Sequence, residues 1–348
     1  MIARLVGSEM CIRDRCQNGH GTTRLEKLPR RRRIFRISDG PENPRLTHTA
    51  RQKLGTPCVM LTNQKLEAAL AELEESRKAH IISELKDPDF SGQISAVGVA
   101  QAVKLLKLAS CFSVAPISGF CVGAIAVGKS GKLYLGANME FQGVPLSASL
   151  HAEQSAILNA WMHEEREVVA LHVSETPCGH CRQFMRELSN SSALKIHCKG
   201  QTFQIEDLLP VAFGENRKKG HGLLDCKATK LESVQTKLHS LSQLAINAAQ
   251  LSYAPYSHAP EGFVAQCLDG HSFSGRVAES IAFNPSVSAV VVALNQRNLS
   301  SRRSVAITAC TQTKLATALN SPLAQARAII KHISEASVYE VEMEVRSS

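Results

Sequence analysis

The sequence predicts an α/β protein in which a three-layer α/β/α domain occurs twice behind a helical N-terminal region, and three observations carry that expectation. Length is the first: 348 residues suit two domains of ordinary size. Between residues 97 and 198, short apolar runs of strand length alternate with stretches of helical periodicity, the pattern left by helices that cover a sheet. The last third then repeats the middle third at a constant offset of 139. Ala115-Pro116, Ser118, Gly123, Ala126, Gly131, Gly136 and Glu140 recur without gaps as Ala254-Pro255, Ser257, Gly262, Ala265, Gly270, Gly275 and Glu279. Tyr134 falls opposite Phe273, and Leu105 opposite Leu244. A duplicated domain is the natural account of such a period.

The elements follow in order. Residues 1–59 read as a basic, disordered or non-native extension: the charge run Arg30 to Arg33 and the prolines and glycines of residues 29–44 cannot build a core. Val6 to Arg15 resembles translated vector sequence, Met60 is a plausible start, and Arg30 to Arg36 could instead serve as a nucleic-acid arm or a targeting segment. Residues 60–99 form a helical segment, because Leu66, Ala69, Leu70 and Leu73, then Ile81, Ile82 and Leu85, lie at helical spacing over residues 66–85. A second helix is expected over residues 97–109, leading into a domain at residues 100–215. Residues 120–127 and 133–135 read as strands joined through Gly128-Lys129-Ser130-Gly131, a hairpin signal. A helix begins near His151, residues 168–173 form a buried strand, and Pro177 breaks that strand ahead of a helix bearing Phe184, Met185 and Leu188. Residues 194–197 form another strand, and residues 216–232, rich in Lys and Gly, read as a linker. The second copy occupies residues 233–348, with apolar runs such as residues 289–294 taken as strands.

The chemistry concentrates in four residues. His151-Ala152-Glu153 precedes Pro177-Cys178-Gly179-His180-Cys181, with 25 residues between His151 and Pro177. A structural zinc normally takes four protein ligands, whereas a catalytic zinc takes three and keeps one position open for water. His151, Cys178 and Cys181 supply three donors of the right kind, and Glu153 remains as an unliganded carboxylate. Each pair sits near the start of a helix, where the positive end of the backbone dipole favours thiolate. A four-ligand structural site would need His163, His172, His180 or Cys198 in addition. The bland alternative makes each Cys a small buried hydrophobe and the His a satisfied core residue. The spacing argues against it, because H-x-E with P-C-x-x-C is the pattern of zinc nucleobase deaminases.

With these residues the sequence resembles cytidine deaminase, in the long, two-domain homodimeric form of enteric bacteria and plants. The resemblance runs from about residue 100 to the C-terminus. It also rests on Ile117-Ser118-Gly119-Phe120-Cys121-Val122-Gly123-Ala124, on Gly136-Ala137-Asn138-Met139-Glu140-Phe141 and on Leu209-Pro210-Val211-Ala212-Phe213-Gly214. It implies that Phe120 stacks on the pyrimidine, that Asn138 and Glu140 hold the ribose hydroxyls, and that Phe213 closes over the ring. Zinc, one per chain, is the implied cofactor; cytidine or deoxycytidine is the implied substrate, in pyrimidine salvage. Glu153 is then the group that takes a proton from water and passes protons to N3 and to the departing amine. Cys121 departs from the family, which usually has Asn there. The second copy carries no His-x-Glu or Cys-x-x-Cys after residue 240, and the offset sets Val290, Val292, Thr317 and Asn320 against His151, Glu153, Cys178 and Cys181. It is expected to be a zinc-free buttress of the dimer, with the loop of residues 279–284 near the partner's active site.

Charge and cysteine usage bound the alternatives. Residues 1–55 hold 13 Lys and Arg against 5 Asp and Glu, so they carry net +8 of the chain's +9 and the remaining 293 residues carry only +1. A polynucleotide deaminase, the runner-up function, needs basic and aromatic surface that this balance and a single Trp do not supply. Nucleic acid is therefore not an expected partner. A non-catalytic regulatory protein should have lost Glu153 or a ligand, and none is lost. No run of 18 apolar residues occurs, so no membrane span is expected. Eleven cysteines without a paired framework fit a reducing, cytoplasmic setting.

Overall fold

A computed structural model describes residues 63–95, 97–214 and 221–346; the basic extension expected over residues 1–59 lies outside them. Two mixed sheets, each covered by helices, make up the described chain, and their connectivity repeats. In the first, β1 (Gln93–Ile94), β2 (Gly123–Gly128), β3 (Leu133–Ala137), β4 (Val168–Val173), β5 (Lys195–Cys198) and β6 (Gln201–Phe203) lie in the order β1-β3-β2-β4-β5-β6. In the second, β7 (Leu231–Ser233), β8 (Gly262–Cys267), β9 (Ser272–Arg276), β10 (Ile307–Leu315) and β11 (Val338–Val345) lie in the order β7-β11-β10-β8-β9. The shared motif is an antiparallel hairpin, a third strand antiparallel to its first arm, and a fourth strand parallel to the third. Register repeats with it: Ala124 pairs with Val173, and Phe263 pairs with Gln312, each 139 residues later. Both hairpins turn through a left-handed glycine, Gly131 at φ 83° and Gly270 at φ 85°, a conformation that costs glycine little.

Strand alternation divides the core. Along β2, Ala124 and Ala126 face α4 (Ala152–Met162), while Ile125 and Val127 face the N-terminal helices. Those helices are α1 (Asn63–Ala69), α2 (Glu75–Lys86) and α3 (Leu106–Ser110), the last preceded by a 3-10 turn over Val99–Leu105. The single helix expected over residues 66–85 is thus two. Arg77 and His80 occupy the positions that would continue the apolar stripe beyond Leu73, so a straight helix would have turned polar groups onto the sheet.

The run of residues 289–294, expected as a strand, is instead the start of α8 (Ala289–Asn298). Ala289 to Leu294 are all buried there. An apolar run enclosed on every side suits a helix as well as a strand, and here tertiary burial overrides the β-branched preference of Val290, Val291 and Val292. α4 and α8 sit against each other within one apolar cluster drawn from both halves of the chain. Ser155 Oγ and Asn295 Oδ1 lie 2.6 Å apart at that contact, and Asn295 Nδ2 donates to the Ser155 carbonyl at 3.1 Å. The remaining helices, α5 (Gly179–Met185), α6 (Ile205–Leu208), α7 (Ser242–Gln250) and α9 (Leu323–Ile333), cover the sheets further. Within the stretch expected as linker, residues 215–220 lie outside the described residues, Leu223 and Leu224 are buried, and β7 begins at Leu231.

Candidate active site

Two helix starts build the centre. His151 is the residue before the first turn of α4, held in extended backbone at φ −87° and ψ 155°, and Cys178 stands in the same relation to α5 at φ −74° and ψ 168°. Gln154 fixes the first of these starts by accepting from the His151 N–H at 3.3 Å. Cys181 lies one turn into α5, fully buried. As a result His151, Cys178 and Cys181 bring one nitrogen and two sulfurs within 4.8 Å of one another, and among the described residues no fourth His, Cys, Asp or Glu joins them. Cys178 Sγ is 3.4 Å from His151 Nδ1, close to the edge of about 3.5 Å in a tetrahedron built on ordinary zinc–sulfur and zinc–nitrogen bonds. The donor set therefore fits zinc with a position to spare.

The residues weighed as a fourth ligand go elsewhere. His180 stacks on His151 with ring centroids 5.0 Å apart, and His172 stacks on His197 at 4.3 Å. His163 is tied to the Asn159 carbonyl and to Ser91. Cys198 is buried in β5.

Electrostatics follow from the crowding. Hydrogen bonding from Cys181, against the cost of burial and with His151 assisting, holds the Cys178 thiol down to about 3. Burial and the neighbouring Cys178 push Cys181 the other way. The Cys178 hydrogen bond raises His151 against the effect of its burial. A cation bound here would compete with the protons on these groups. Glu153, only 5% exposed, is pushed above the usual carboxylate range by burial, which outweighs the Cys181 hydrogen bond and the charge of His151. A carboxyl so placed holds a proton more readily than an exposed one.

The outer residues take up less uniform positions. Glu140 accepts from the backbone N–H of Ile117 at 2.8 Å and of Ser118 at 3.0 Å, and the Ser118 hydroxyl donates to its other oxygen. Burial alone would raise its pKa, but these three donors override it and leave the carboxyl below its usual value. Asn138 uses both ends of its amide on the main chain, its Oδ1 accepting from Val122 N at 2.8 Å and its Nδ2 donating to Phe120 O at 2.9 Å. Among the described residues one amide N–H is left over. Phe120 and Phe213 are 57% and 66% exposed. Cys121 is exposed beside Phe120.

Sequence reasoning missed several supports. Gln183 clasps the Phe213 main chain, accepting from its N–H at 3.3 Å and donating to its carbonyl at 3.0 Å. Arg182 ties the loop before α5 to the end of α6 through the Pro177 and Leu208 carbonyls. Gln154, next to Glu153, donates to the Pro285 carbonyl at 2.7 Å, so the second half of the chain braces the helix that carries the acid. None of the three recurs at the repeat offset, whereas Ser118, which holds Glu140, does so as Ser257.

Family models described as the cytidine and deoxycytidylate deaminase zinc-binding region match residues 99–196 and 202–327. A cytidine deaminase of Pectobacterium carotovorum subsp. carotovorum is 41% identical over 248 residues, covering 68% of this chain and 83% of that protein. Another from Cronobacter sakazakii is 40% identical over 252 residues, covering 68% of this chain and 84% of that one. Among solved structures, the cytidine deaminase of Burkholderia pseudomallei is 31% identical, covering 34% of this chain and 100% of that chain at a TM-score of 0.30.

Proposed function

Because the chain belongs to the cytidine and deoxycytidylate deaminase family, a zinc-dependent hydrolytic deaminase of cytidine, we propose that His151, Cys178 and Cys181 are its zinc ligands and Glu153 its proton carrier. The supporting observation is the cluster of three donors within 4.8 Å beside a buried, unliganded carboxyl. Bound zinc supplies Lewis-acid activation, lowering the pKa of water to about 7. Glu153 takes the proton that water gives up and delivers it to N3 of the pyrimidine, which makes C4 open to attack. It then takes the proton of the hydroxyl added at C4 and hands it to the amine there, so that the C–N bond breaks as the C4 carbonyl forms and cytidine and water become uridine and ammonia. Glu140 and the free N–H of Asn138 receive the ribose hydroxyls, an arrangement supported by a carboxylate already fixed by three donors. Phe120 stacks on the ring and Phe213 closes over it, held in place through Gln183.

The same proposal includes the division of the chain: an extension over residues 1–59, a helical segment over 60–99, the zinc domain over 100–215, a linker over 216–232 and a zinc-free copy over 233–348. It includes deoxycytidine as a second substrate. A homodimer is supported by Ile117, Phe120, Leu146, Val211 and Phe213, large apolar side chains exposed on loops that border the site. A cytoplasmic setting is supported by cysteine usage without a paired framework, and the near-neutral balance after residue 55 speaks against a nucleic-acid partner.

The decisive experiment follows the loss of absorbance when cytidine meets the purified chain, with and without a chelator. Glu153→Gln should keep about one zinc per chain while losing ~10²- to 10⁴-fold in turnover, because an amide cannot accept the proton. Near-wild-type turnover with metal bound would remove Glu153 from the mechanism. Cys178→Ala should instead lower the zinc content itself.

A further inference from the structure

A cavity of about 930 Å³ opens in the second half of the chain. Its walls match the candidate active site of the first half. Ser257, Glu279, Thr317 and Asn320 line it, and they stand 139 residues after Ser118, Glu140, Cys178 and Cys181. Ser288, also in the wall, corresponds to His151. The first half pairs Val114 with Met139 and Met139 with Leu150, whereas the second pairs Tyr253 with Ala278 and Ala278 with Val287, two residues short of the full offset. That shortening sets Ser288 against His151 and Val290 against Glu153, correcting the ungapped match of Val290 and Val292. Ser, Thr and Asn at the ligand positions leave no zinc site, so the room is not kept for metal.

Two features of the cavity call for a ligand. The Glu261 carboxyl, only 7% exposed, lines the cavity, and among the described residues it receives a single long hydrogen bond, 3.4 Å from Asn320 Nδ2. Among the described residues the nearby Ser288 Oγ is buried with no partner. A buried carboxyl so poorly paired is costly, and a ligand in the cavity would satisfy it. The second feature is Glu279, which is held as Glu140 is: its Oε2 accepts from Tyr256 N at 2.9 Å and Ser257 N at 3.1 Å, and the Ser257 hydroxyl donates to Oε1. Among the described residues no Lys or Arg lines the cavity, which disfavours a phosphorylated ligand. The volume falls within the range of small-molecule sites.

We propose that this cavity is a second, non-catalytic binding site for an uncharged pyrimidine nucleoside, with Glu279 accepting from the sugar hydroxyls and Glu261 meeting the edge of the base. The sugar contact rests on the reading of Glu140 as a ribose-binding group. Burial, reinforced by the charge of Glu279, pushes the Glu261 carboxyl up to about 8. At neutral pH it therefore keeps its proton and offers a donor beside an acceptor, the complement of O4 and N3–H on a uracil ring.

Equilibrium dialysis of the full zinc-loaded chain against labelled uridine tests this directly. Two uridines should bind per chain in the wild type and one in Glu261→Val, which installs the residue found at the matching position, Val122. Thr317→Tyr, a bulky change at an exposed position of the wall, should do the same, and cytidine turnover in both variants should be unchanged, which verifies folding. Glu140→Ala should remove the other uridine. A wild type that binds one uridine or none, with the amount unaltered by Glu261→Val and Thr317→Tyr, overturns the proposal. If Glu140→Ala loses nothing while Glu261→Val and Thr317→Tyr lose all bound uridine, the cavity stands and the active-site assignment falls.

Discussion

At the scale of single residues, the two buried carboxyls differ in what surrounds them. Glu153 sits among groups able to exchange a proton with it, whereas the Glu261 carboxyl lies near the like charge of Glu279 and receives one long hydrogen bond among the described residues. That isolation has a consequence for stability. The folded Glu261 holds its proton to about pH 8, while the unfolded side chain releases it near 4.5. Between those values the folded state binds more protons than the unfolded, so this group's contribution falls as pH rises from about 4.5 to about 8 and levels off above. Glu261→Gln should therefore raise the melting temperature most at pH 8 and hardly at all at pH 4.5, with a gain on the order of 1–3 kcal/mol at the upper end after relaxation around the cavity. Thermal melts across that range check it, and a variant whose deficit grows with pH would reverse the sign.

At the scale of elements, the position of α4 is set by a glycine. A Cβ on Gly136 of β3 would stand 2.3 Å from the Ala156 nitrogen and 2.4 Å from the Ala152 carbonyl oxygen, both backbone atoms that cannot swing aside. Gly275 of β9 meets α8 in the same way, at 2.1 Å from the Ala289 carbonyl oxygen. Helix and strand approach so closely because no side chain intervenes. Gly136→Ala should cost about 1–3 kcal/mol or more of stability and lower cytidine turnover, since α4 carries Glu153 and would be displaced. Denaturant unfolding and a turnover assay read the two effects, and a variant matching the wild type in both would show that α4 has slack. The sequence made this pair legible through the repeat of Gly136 at Gly275. It did not reveal that residues 289–294 are helical, because a short apolar run carries no period of its own until its surroundings are known.

At the scale of the whole molecule, the two copies are joined through one core rather than merely tethered. Arg276 lies 4.1 Å over the Trp161 ring and donates to the Trp161 carbonyl at 2.8 Å. Buried Glu187 accepts from the hydroxyls of Tyr253 at 2.8 Å and Tyr256 at 2.7 Å and from Ile281 N at 3.0 Å. The loop of residues 279–284 thus meets the zinc-site half of its own chain. Truncation after about residue 225 should give aggregated or inactive protein although every proposed catalytic residue remains, because α4, Trp161 and Glu187 would lose their covering. Sedimentation and cytidine turnover of the fragment test it, and a soluble, fully active fragment would refute the buttress.

The sequence by itself determined the family and the duplication, since both are written in residue identity and spacing: the pattern of His151, Glu153, Cys178 and Cys181 on one hand, the 139-residue period on the other. Only the tertiary structure decided how the two copies use each other. Ser155 facing Asn295, Gln154 reaching Pro285, and a cavity walled by Glu261, Ser288 and Thr317 all join residues distant along the chain. Local periodicity records which way a side chain faces, not what it meets there; burial and hydrogen-bond satisfaction settle that when the halves close on a shared core.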